Sequence, residues 1–475
     1  MFPLELAQTG PQMFLPPQHL HFTGIGGIGM SGIAEILLRL GFAISGSDLR
    51  LSPVTDRLAR LGARIYEGHD AAYVAGARAL VVSSAIPPDN PEVREARRRQ
   101  IPVISRGEML AELMRLKYGI AVAGSHGKTT TTAMLAAVLE GAGLDPTVVV
   151  GGRLGAFGGA NARVGRSVLL VVESDESDGS FLKLAPILAV VTNIDREHLD
   201  HYRSLEDILA AFTEFVNRTP FYGASVLCLD DENVQRILPA VRRRVLTYGA
   251  RAQADLQICD VTLGPPPTRF RLRRRGEDLG LFRLAVPGAH NVLNAAAAAA
   301  VGFELGVQPE TVREALARFT GVERRFQVRG RATGVTVIDD YGHHPAEIQA
   351  TLAAARQCDY ARVLVLFQPH RYTRTLHLLE DFARCFYQAD AVFVLDIYAA
   401  SEPPIEGVHA SLLAERIRAH GHRRVEYAGS LERAVEEALA EAREGDAVIT
   451  LGAGNVWQAA DRLLEGLRRR ESDGA

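Results

Sequence analysis

The chain has 475 residues, of which 47% are hydrophobic and 23% are charged, and its formal net charge is −3. At roughly 150 residues per domain, this length predicts about three domains with clefts between them. The ordinary composition excludes a disordered or fibrous protein, and the near-neutral charge argues against a dedicated nucleic-acid binder.

Cysteine usage and hydropathy indicate the compartment. The four cysteines form no C-x-x-C pair, which is typical of reduced thiols in a cytoplasmic protein. No apolar run approaches the roughly 20 residues of a membrane span, and the start of the chain lacks the basic and apolar regions of a signal peptide. We therefore predict a cytoplasmic protein with no disulfide, no membrane span and no nucleic-acid partner.

A glycine-rich turn follows the first predicted strand, residues 19–23, and leads into a helical pattern that stops at Gly41. It fits G-x-G-x-x-G, and Asp48 ends the next short strand. Glycines let the backbone approach a pyrophosphate at a helix N-terminus, where free N–H groups and the helix dipole favour an anion. The motif leaves three interpretations open: NAD, another diphosphate nucleotide, or a tight turn without a ligand. The turn consists of Gly24, Ile25, Gly26, Gly27, Ile28 and Gly29.

A second glycine loop lies between a predicted strand, residues 119–123, and a predicted helix, residues 131–140. Its G-x-x-G-K-T spacing is shorter than that of ordinary P-loops, but Lys128 is one of only three lysines in the chain. Such a loop offers N–H groups and a lysine to phosphates, and a hydroxyl to Mg²⁺. We therefore predict an ATP site. The loop consists of Gly124, Ser125, His126, Gly127, Lys128, Thr129 and Thr130.

Two residues after later strands are candidate metal ligands. Glu173 ends the apolar strand predicted at 168–172, where an α/β ATPase places a carboxylate for Mg²⁺. His198 follows the next strand, predicted at 187–192. A histidine here is either structural or a ligand of a second Mg²⁺, although imidazole is an unusual partner for so hard an ion.

The middle of the chain contains an antiparallel hairpin and a purine-binding candidate. Alternating residues 269–273 before a turn at 276–278 predict a hairpin appended to the core. The six alanines of residues 295–300 predict close helix packing. Before them, His290, Asn291 and Asn294 provide amide groups that could pair with a purine or simply cap the helix.

The last third repeats the strand–helix alternation and carries two polar strand-end loops. Residues 339–345 and 368–374 occupy the edge at which open α/β sheets bind ligands. Arg371 and Arg374 could hold a carboxylate, and the adjacent His343 and His344 could transfer protons. A solvated polar loop is the alternative in each case. The predicted strands are residues 335–338, 363–367, 391–395 and 447–451.

Taken together, these motifs resemble the Mur ligase family, ATP-dependent amide-forming enzymes of peptidoglycan synthesis. The short P-loop is that family's own form. Further motifs that carry the resemblance are Gly24 to Gly32, Thr192-Asn193, Gly321 to Phe326, Asp339 to Pro345, and His370 to Arg374. The resemblance implies an α/β fold of three domains: a Rossmann-like UDP-binding domain (1–113), a P-loop ATPase-type domain with a small antiparallel appendage (114–320), and a Rossmann-like amino-acid-binding domain (321–475).

The resemblance also implies a role for each motif. The first glycine loop would hold a UDP-sugar rather than NAD, and the expected cofactors are ATP and two Mg²⁺ ions. The expected UDP-sugar contacts are Gly26, Gly27, Ile28, Gly29, Met30, Ser31, Asp48, Ser84, Ala85 and Arg106. ATP would contact the P-loop from Gly124 to Thr130 together with His290, Asn291, Asn294 and Arg325. Metal would be held by Thr129, Glu173 and His198, the amino acid by Tyr341, His343, His370, Arg371 and Arg374, and catalysis would involve Lys128, His198, His343 and His344.

Within the family, the motifs are most similar to the branch that joins L-alanine to UDP-N-acetylmuramate through an acyl phosphate. No lysine follows Lys183, so the carbamylated lysine of several Mur ligases is absent, as this branch leads one to expect. The close alternative is a ligase that adds a recycled tripeptide to the same UDP-sugar. A non-catalytic nucleotide sensor is the alternative from another class, and the chain is expected to be a monomer or a homodimer.

Overall fold

The computed structural model describes residues 18–83, 85–154, 160–198 and 201–473. Three β-sheets with flanking helices confirm the predicted α/β architecture. The chain forms two compact units; the domain boundaries given above stay predictions. The first unit comprises residues 1–259, 271–282 and 293–317, and the second comprises residues 260–270, 283–292 and 318–475.

The N-terminal sheet is parallel and has the strand order β3-β2-β1-β4-β5, the order of the first five strands of a Rossmann sheet. β4 ends at Val82, and β5 begins only at Val103, because Pro102 has no N–H to donate. The strands are β1 (His19–Thr23), β2 (Ala43–Asp48), β3 (Arg64–Glu67), β4 (Ala79–Val82) and β5 (Val103–Ser105). The helices are α1 (Ile28–Arg39), α2 (Pro53–Arg60), α3 (Pro91–Arg98) and α4 (Arg106–Arg115).

The central sheet has ten strands. They are β6 (Tyr118–Ala123), β7 (Thr147–Leu154), β8 (Ala160–Arg163), β9 (Leu169–Glu173), β10 (Leu188–Val191), β11 (Ala224–Cys228), β12 (Val245–Gly249), β13 (Leu256–Thr262), β14 (Thr268–Arg274) and β15 (Glu277–Leu284). Their order is β15-β14-β13-β12-β11-β10-β6-β9-β7-β8. The helices are α5 (Lys128–Gly141), α6 (Leu205–Asn217), α7 (Glu232–Ile237), α8 (Ala289–Glu304) and α9 (Pro309–Arg318).

The predicted hairpin is present. It is formed by β14 and β15, and Arg275 and Gly276 turn the chain with φ of +50° and +88°. The hairpin continues the central sheet beyond β13, which pairs in parallel with β12. A second antiparallel pair, β7 with β8, was not predicted from the sequence.

The alanine run packs closely, as predicted. Residues 295–300 are all buried in α8. Two positions further along the helix, a Cβ on Gly302 would lie only 2.9 Å from Cγ1 of Val138 in α5. The small side chains therefore allow the two helices to approach each other.

The C-terminal sheet has the order β16-β17-β21-β18-β19-β20, and only its edge strand β16 is antiparallel. Its strands are β16 (Gln327–Ala332), β17 (Val335–Asp340), β18 (Val363–Phe367), β19 (Ala391–Leu395), β20 (Val425–Gly429) and β21 (Ala447–Leu451). Its helices are α10 (Pro345–Arg356), α11 (Tyr372–His377), α12 (Leu379–Arg384), α13 (Ala410–Ala419), α14 (Leu431–Glu441) and α15 (Trp457–Asp473). Both faces of the central strands carry apolar clusters, which explains their continuous apolar sequences.

Two predictions from composition can be compared with the described residues. None of the four cysteines, all of which lie within the described residues, forms a disulfide. Within the described ranges, every helix is too short or too polar to cross a bilayer.

Candidate active site

The first glycine loop presents a helix N-terminus. The N–H groups of Gly24 and Ile25 donate to the Ser47 carbonyl at 2.8 and 3.0 Å, and the N–H of Gly26 donates to Oδ2 of Asp48 at 2.8 Å. Helix α1 then begins without a side-chain cap at Gly27. Its first-turn N–H groups therefore form a site suited to a diphosphate.

Arg106 brings a cation to this helix N-terminus. A Cβ on Gly29 would lie 2.6 Å from Nη1 of Arg106, so the guanidinium lies directly against the glycine. Its Nη2 is also 3.8 Å from Oδ2 of Asp175, in the loop after β9. Of the other predicted UDP-sugar residues, Met30 and Ser31 are buried and Ala85 is exposed, while Ser84 lies outside the described residues.

The second glycine loop surrounds the Lys128 ammonium. Nζ donates to the carbonyls of Gly124 and Ser125 at 2.6 and 3.1 Å and to Oε1 of Glu176 at 2.8 Å. Burial by itself would lower the pKa of Lys128, but the Glu176 carboxylate outweighs burial and holds the pKa above its ordinary value. Lys128 is therefore a partly buried, fully charged group at the start of α5.

The segment after β10 holds this loop in place. The Asn193 side chain accepts from the His126 N–H at 2.8 Å and donates to the His126 carbonyl at 3.0 Å, and Thr192 Oγ1 donates to the same carbonyl at 2.6 Å. The Asp195 N–H donates to Ser125 Oγ at 2.7 Å. These contacts give Thr192-Asn193 a structural role: they fix the backbone that would surround phosphate.

Glu173 lies beside the P-loop hydroxyl, as the metal prediction requires. Oγ1 of Thr129 donates to Oε1 of Glu173 at 2.9 Å, and the N–H of Gly151 donates to its other oxygen at 2.7 Å. A hydroxyl next to a carboxylate is a donor set suited to Mg²⁺.

A second group of possible ligands surrounds His198. Ligand atoms of Glu176, Glu197 and His198 all lie within 4.8 Å of one another, and His198 Nε2 is 3.4 Å from Glu176 Oε1. Burial by itself would lower the pKa of His198, but the two carboxylates outweigh it and raise the pKa. Oε2 of Glu176 is buried without a hydrogen-bond partner, which is the state of a carboxylate that can accept a cation.

The adenine candidates have separate surroundings. Asn294 Oδ1 accepts from Thr131 Oγ1 at 3.1 Å, and a Cβ on Gly127 would lie 2.6 Å from that oxygen. Asn291 donates to the Pro287 carbonyl at 2.6 Å. His290 is partly buried, and this burial together with the charge of Arg325 lowers its pKa to about 4. Asn294 thus lies against the P-loop, whereas Asn291 is bonded to the backbone just before α8.

The second unit contains the predicted amino-acid residues as one cluster. The rings of His343 and His370 are 5.7 Å apart, and Tyr341 lies 5.3 Å from His343. Nη1 of Arg374 is 3.3 Å from Nδ1 of His370. Burial lowers the pKa of His343 to about 3 and that of His370 to about 4, so both rings are neutral at pH 7.

Three predicted details of this cluster look different in the structure. The two arginines do not form a fork, because Arg371 is directed to Glu402, at 3.9 Å, and Arg374 to His370. Arg371 has φ of +70°, which is uncommon for a residue other than glycine. His344 caps α10, accepting from the Ala346 N–H at 3.4 Å. Arg325 is next to Glu347 and to the ring of Tyr341.

Comparison with known proteins gives the family. The Mur ligase catalytic domain matches residues 19–118, the Mur ligase middle domain residues 122–302, and the domain described as Mur ligase, glutamate ligase domain residues 324–454. A UDP-N-acetylmuramate–L-alanine ligase of Solibacter usitatus is 68% identical over 457 residues, 96% of this chain and 97% of that protein. The chain belongs to the Mur ligase family.

Solved structures agree with this assignment. The UDP-N-acetylmuramate–alanine ligase of Thermotoga maritima is similar to this Mur ligase with a TM-score of 0.78 and 29% identity, covering 96% of this chain and 100% of that one. A murein peptide ligase of Psychrobacter arcticus has a TM-score of 0.68 and 24% identity, covering 95% and 98%. The second likeness shows a shared fold alone.

Sequence reasoning missed three side chains of this Mur ligase site. Glu176 and Glu197 join His198, and Tyr398 stacks on His370 with 9° between the ring planes and 5.6 Å between their centroids. Glu197 had a signal, because it directly precedes His198 in sequence. Glu176 is one of several carboxylates after β9, and only the fold shows that it is the buried one.

Proposed function

We propose that this Mur ligase joins L-alanine to the lactyl carboxylate of UDP-N-acetylmuramate in the cytoplasm, with conversion of ATP to ADP and phosphate, as a step of peptidoglycan precursor synthesis. The observation that carries the proposal is the 68% identity over nearly the full length to a protein named for this reaction. Three features of the structure are consistent with it: the partly buried Lys128, the carboxylates of Glu173 and Glu176, and Arg374 on a strand-end loop.

Chemistry requires the carboxylate to be activated before it meets an amine. A carboxylate oxygen attacks the γ-phosphorus of ATP, the bond to ADP breaks, and an acyl phosphate forms. The uncharged amine of alanine then attacks the carbonyl carbon, and phosphate leaves with the oxygen that came from the carboxylate. Charge develops first on the transferred phosphoryl group and then on the carbonyl oxygen.

Lys128 is the residue positioned to stabilise that charge. Its ammonium is held by two loop carbonyls and by Glu176 at the start of α5, where backbone N–H groups also favour phosphate. One of these contacts must be exchanged for a phosphate oxygen when ATP binds. Asn294, which lies against Gly127 and Thr131, borders the side of the loop proposed to hold the adenosine.

The residues present fit two magnesium ions. Thr129 and Glu173 would hold one ion, and Glu176, Glu197 and His198 would hold the other, with the orphaned oxygen of Glu176 as the structural sign of that second site. Bound Mg²⁺ neutralises phosphate charge and orients the γ-phosphate. The oxygen-rich donor set favours this hard ion, although His198 is a softer ligand.

The C-terminal cluster is proposed to bind alanine. Arg374 supplies the cation for the amino-acid carboxylate, while His343 and His370 are neutral and do not repel an amine. Tyr341 and His343 would limit the space for the side chain. We also propose domain boundaries after residues 113 and 320, and a monomeric or homodimeric state.

A substrate comparison tests the reaction. We expect ADP formation that depends on both UDP-N-acetylmuramate and L-alanine, with a product heavier than the UDP-sugar by one alanyl residue. The competing function, addition of a tripeptide, predicts turnover with L-alanyl-γ-D-glutamyl-meso-diaminopimelate and little with alanine. ADP formation without any acceptor would identify a simple ATPase and reject the proposal.

A further inference from the structure

A buried carboxylate lies beneath the first glycine loop and is not part of any site described above. Glu92 is the second residue of α3, and its side chain is 0% exposed. Moving a carboxylate out of water costs several kcal/mol unless its partners compensate. A charged carboxylate is therefore stable in a buried position only when hydrogen bonds compensate for the lost water.

The partners of Glu92 are the ends of two strands. Oε2 accepts from Thr23 Oγ1 at 2.6 Å and from Ser47 Oγ at 2.9 Å. Two histidines complete the surroundings: His21 Nε2 is 3.4 Å from Oε2, and His69 Nδ1 is 3.5 Å from Oε1. Burial by itself would raise the pKa of Glu92, but the nearby His21 and the hydrogen bonds from Thr23 and Ser47 outweigh it and lower the pKa, so the group is ionised.

Both strand ends shape the glycine loop. Thr23 directly precedes Gly24, and the Ser47 carbonyl accepts the N–H groups of Gly24 and Ile25. The next residue, Asp48, accepts the N–H of Gly26. The side chains that Glu92 holds therefore belong to the residues whose backbones set the direction of the loop and of the α1 N-terminus.

We propose that Glu92 is a positioning residue for UDP-sugar binding: its carboxylate joins Thr23 to Ser47 and so keeps the glycine loop in the shape that receives the diphosphate. The inference rests on the proposed function of that loop. Because Glu92 is fully buried, it acts through the loop and does not touch the nucleotide.

The test replaces Glu92 with glutamine, which keeps the shape and removes the charge. We expect Glu92→Gln to raise the KM for UDP-N-acetylmuramate about tenfold. A hydrogen bond to a charged group contributes about 1.5–3 kcal/mol, and we expect part of this loss to lower the stability of the fold and part to weaken UDP-sugar binding. The KM values for ATP and alanine and the kcat at saturation should stay within about twofold of the parent. The matched control is Glu95→Gln on the same helix, where the carboxylate forms ion pairs with Arg98 and Arg99.

A second pair of variants decides the matter if Glu92→Gln does not fold. Ser47→Ala and Thr23→Val each remove one hydroxyl, and each should raise the UDP-sugar KM selectively. If Glu92→Gln does fold, the double variant Glu92→Gln/Ser47→Ala should raise the UDP-sugar KM by less than the product of the two separate increases, because both changes break the same contact.

The outcomes separate this inference from the proposed function. If the parent protein ligates alanine but the UDP-sugar KM of the folded variants stays within twofold, or all three KM values rise equally, Glu92 is a structural residue only and the inference is wrong. If the parent shows no ADP formation dependent on UDP-N-acetylmuramate and alanine, the proposed function itself fails.

Discussion

Lys128 is the residue on which phosphoryl transfer depends most in this account. Replacing it with alanine removes the only ammonium in the P-loop and one of the two cationic partners of Glu176, the other being His198. We expect Lys128→Ala to fold and to lose at least about 10³-fold in kcat, the scale of losing one group that stabilises transition-state charge. Steady-state ADP release measures this, with Lys183→Ala, an exposed lysine, as the control. Near-parental turnover of Lys128→Ala would refute the P-loop assignment.

Glu176 tests the second metal site. Glu176→Gln removes a charged ligand from the group with Glu197 and His198, so we expect the Mg²⁺ concentration for half-maximal activity to rise about tenfold or more. Glu173→Gln should do the same through the Thr129 site. Asp178→Asn, an exposed carboxylate in the same acidic stretch, is the control. Unchanged Mg²⁺ titrations in both variants would remove these residues from the ligand set.

For single residues, the sequence predicts the position of those that lie next to a recognisable strand end. Lys128 and Glu173 are of this kind, because the βα turn dictates where they lie. Glu176 could not be selected from its acidic neighbours, since burial depends on packing that is distant in sequence. The direction of Arg371 was equally inaccessible, because its positive φ and its approach to Glu402 arise from the loop that contains Tyr398.

Among the elements, the turn into α5 depends on Gly127. This glycine has φ of +81°, and an added Cβ would lie 2.6 Å from Oδ1 of Asn294. We expect Gly127→Ala to lower the free energy of unfolding by about 1 kcal/mol or more and to raise the KM for ATP at least about tenfold. Gly143→Ala is a matched control, because Gly143 has φ of +73° but nothing within 4 Å of an added Cβ.

Gly143→Ala should show the stability loss alone, with an unchanged KM for ATP. Equal effects of the two alanines on the KM for ATP would mean that the close approach of Asn294 has no part in nucleotide binding.

Elements with strong local signals, such as β6, α5 and the β14–β15 hairpin, were predictable. The β7–β8 pair was not, because its glycine-rich sequence has no period-two alternation and its position depends on pairing with β9.

At the scale of the whole molecule, three partly buried histidines predict acid sensitivity. Burial lowers the pKa of His290 to about 4, that of His343 to about 3 and that of His370 to about 4. The unfolded chain binds protons on these rings below about pH 6.5 and the folded chain does not, so the free energy of unfolding falls from pH 6.5 to about pH 4. Above about pH 6.5 these three histidines are neutral in both states, so they no longer make the free energy of unfolding depend on pH.

Urea titrations at pH 7 and pH 4.5 measure this effect. We expect His290→Gln to lose less stability between the two pH values than the parent, by at most about 3 kcal/mol. His409→Gln, at an exposed position, is the control. If both variants showed the parental pH dependence, His290 would not be held neutral in the folded protein.

The whole-molecule architecture was the most predictable level, because repeated strand–helix alternation and three separate strand-end motifs constrain it strongly. The membership of the hairpin in the central sheet was not predictable, since it depends on a short pairing of Tyr248 and Gly249 with β13. Activation of the lactyl carboxylate as an acyl phosphate is the step that joins ATP, UDP-sugar and amino acid in one reaction.

Transfer of ¹⁸O tests that claim most directly. The enzyme is incubated with ATP, L-alanine and UDP-N-acetylmuramate that carries ¹⁸O in both oxygens of its lactyl carboxylate, and the products are analysed by mass spectrometry. We expect one ¹⁸O in each released phosphate and one in each alanyl amide. Unlabelled phosphate, or label found in AMP, would contradict an acyl phosphate and with it the proposed reaction.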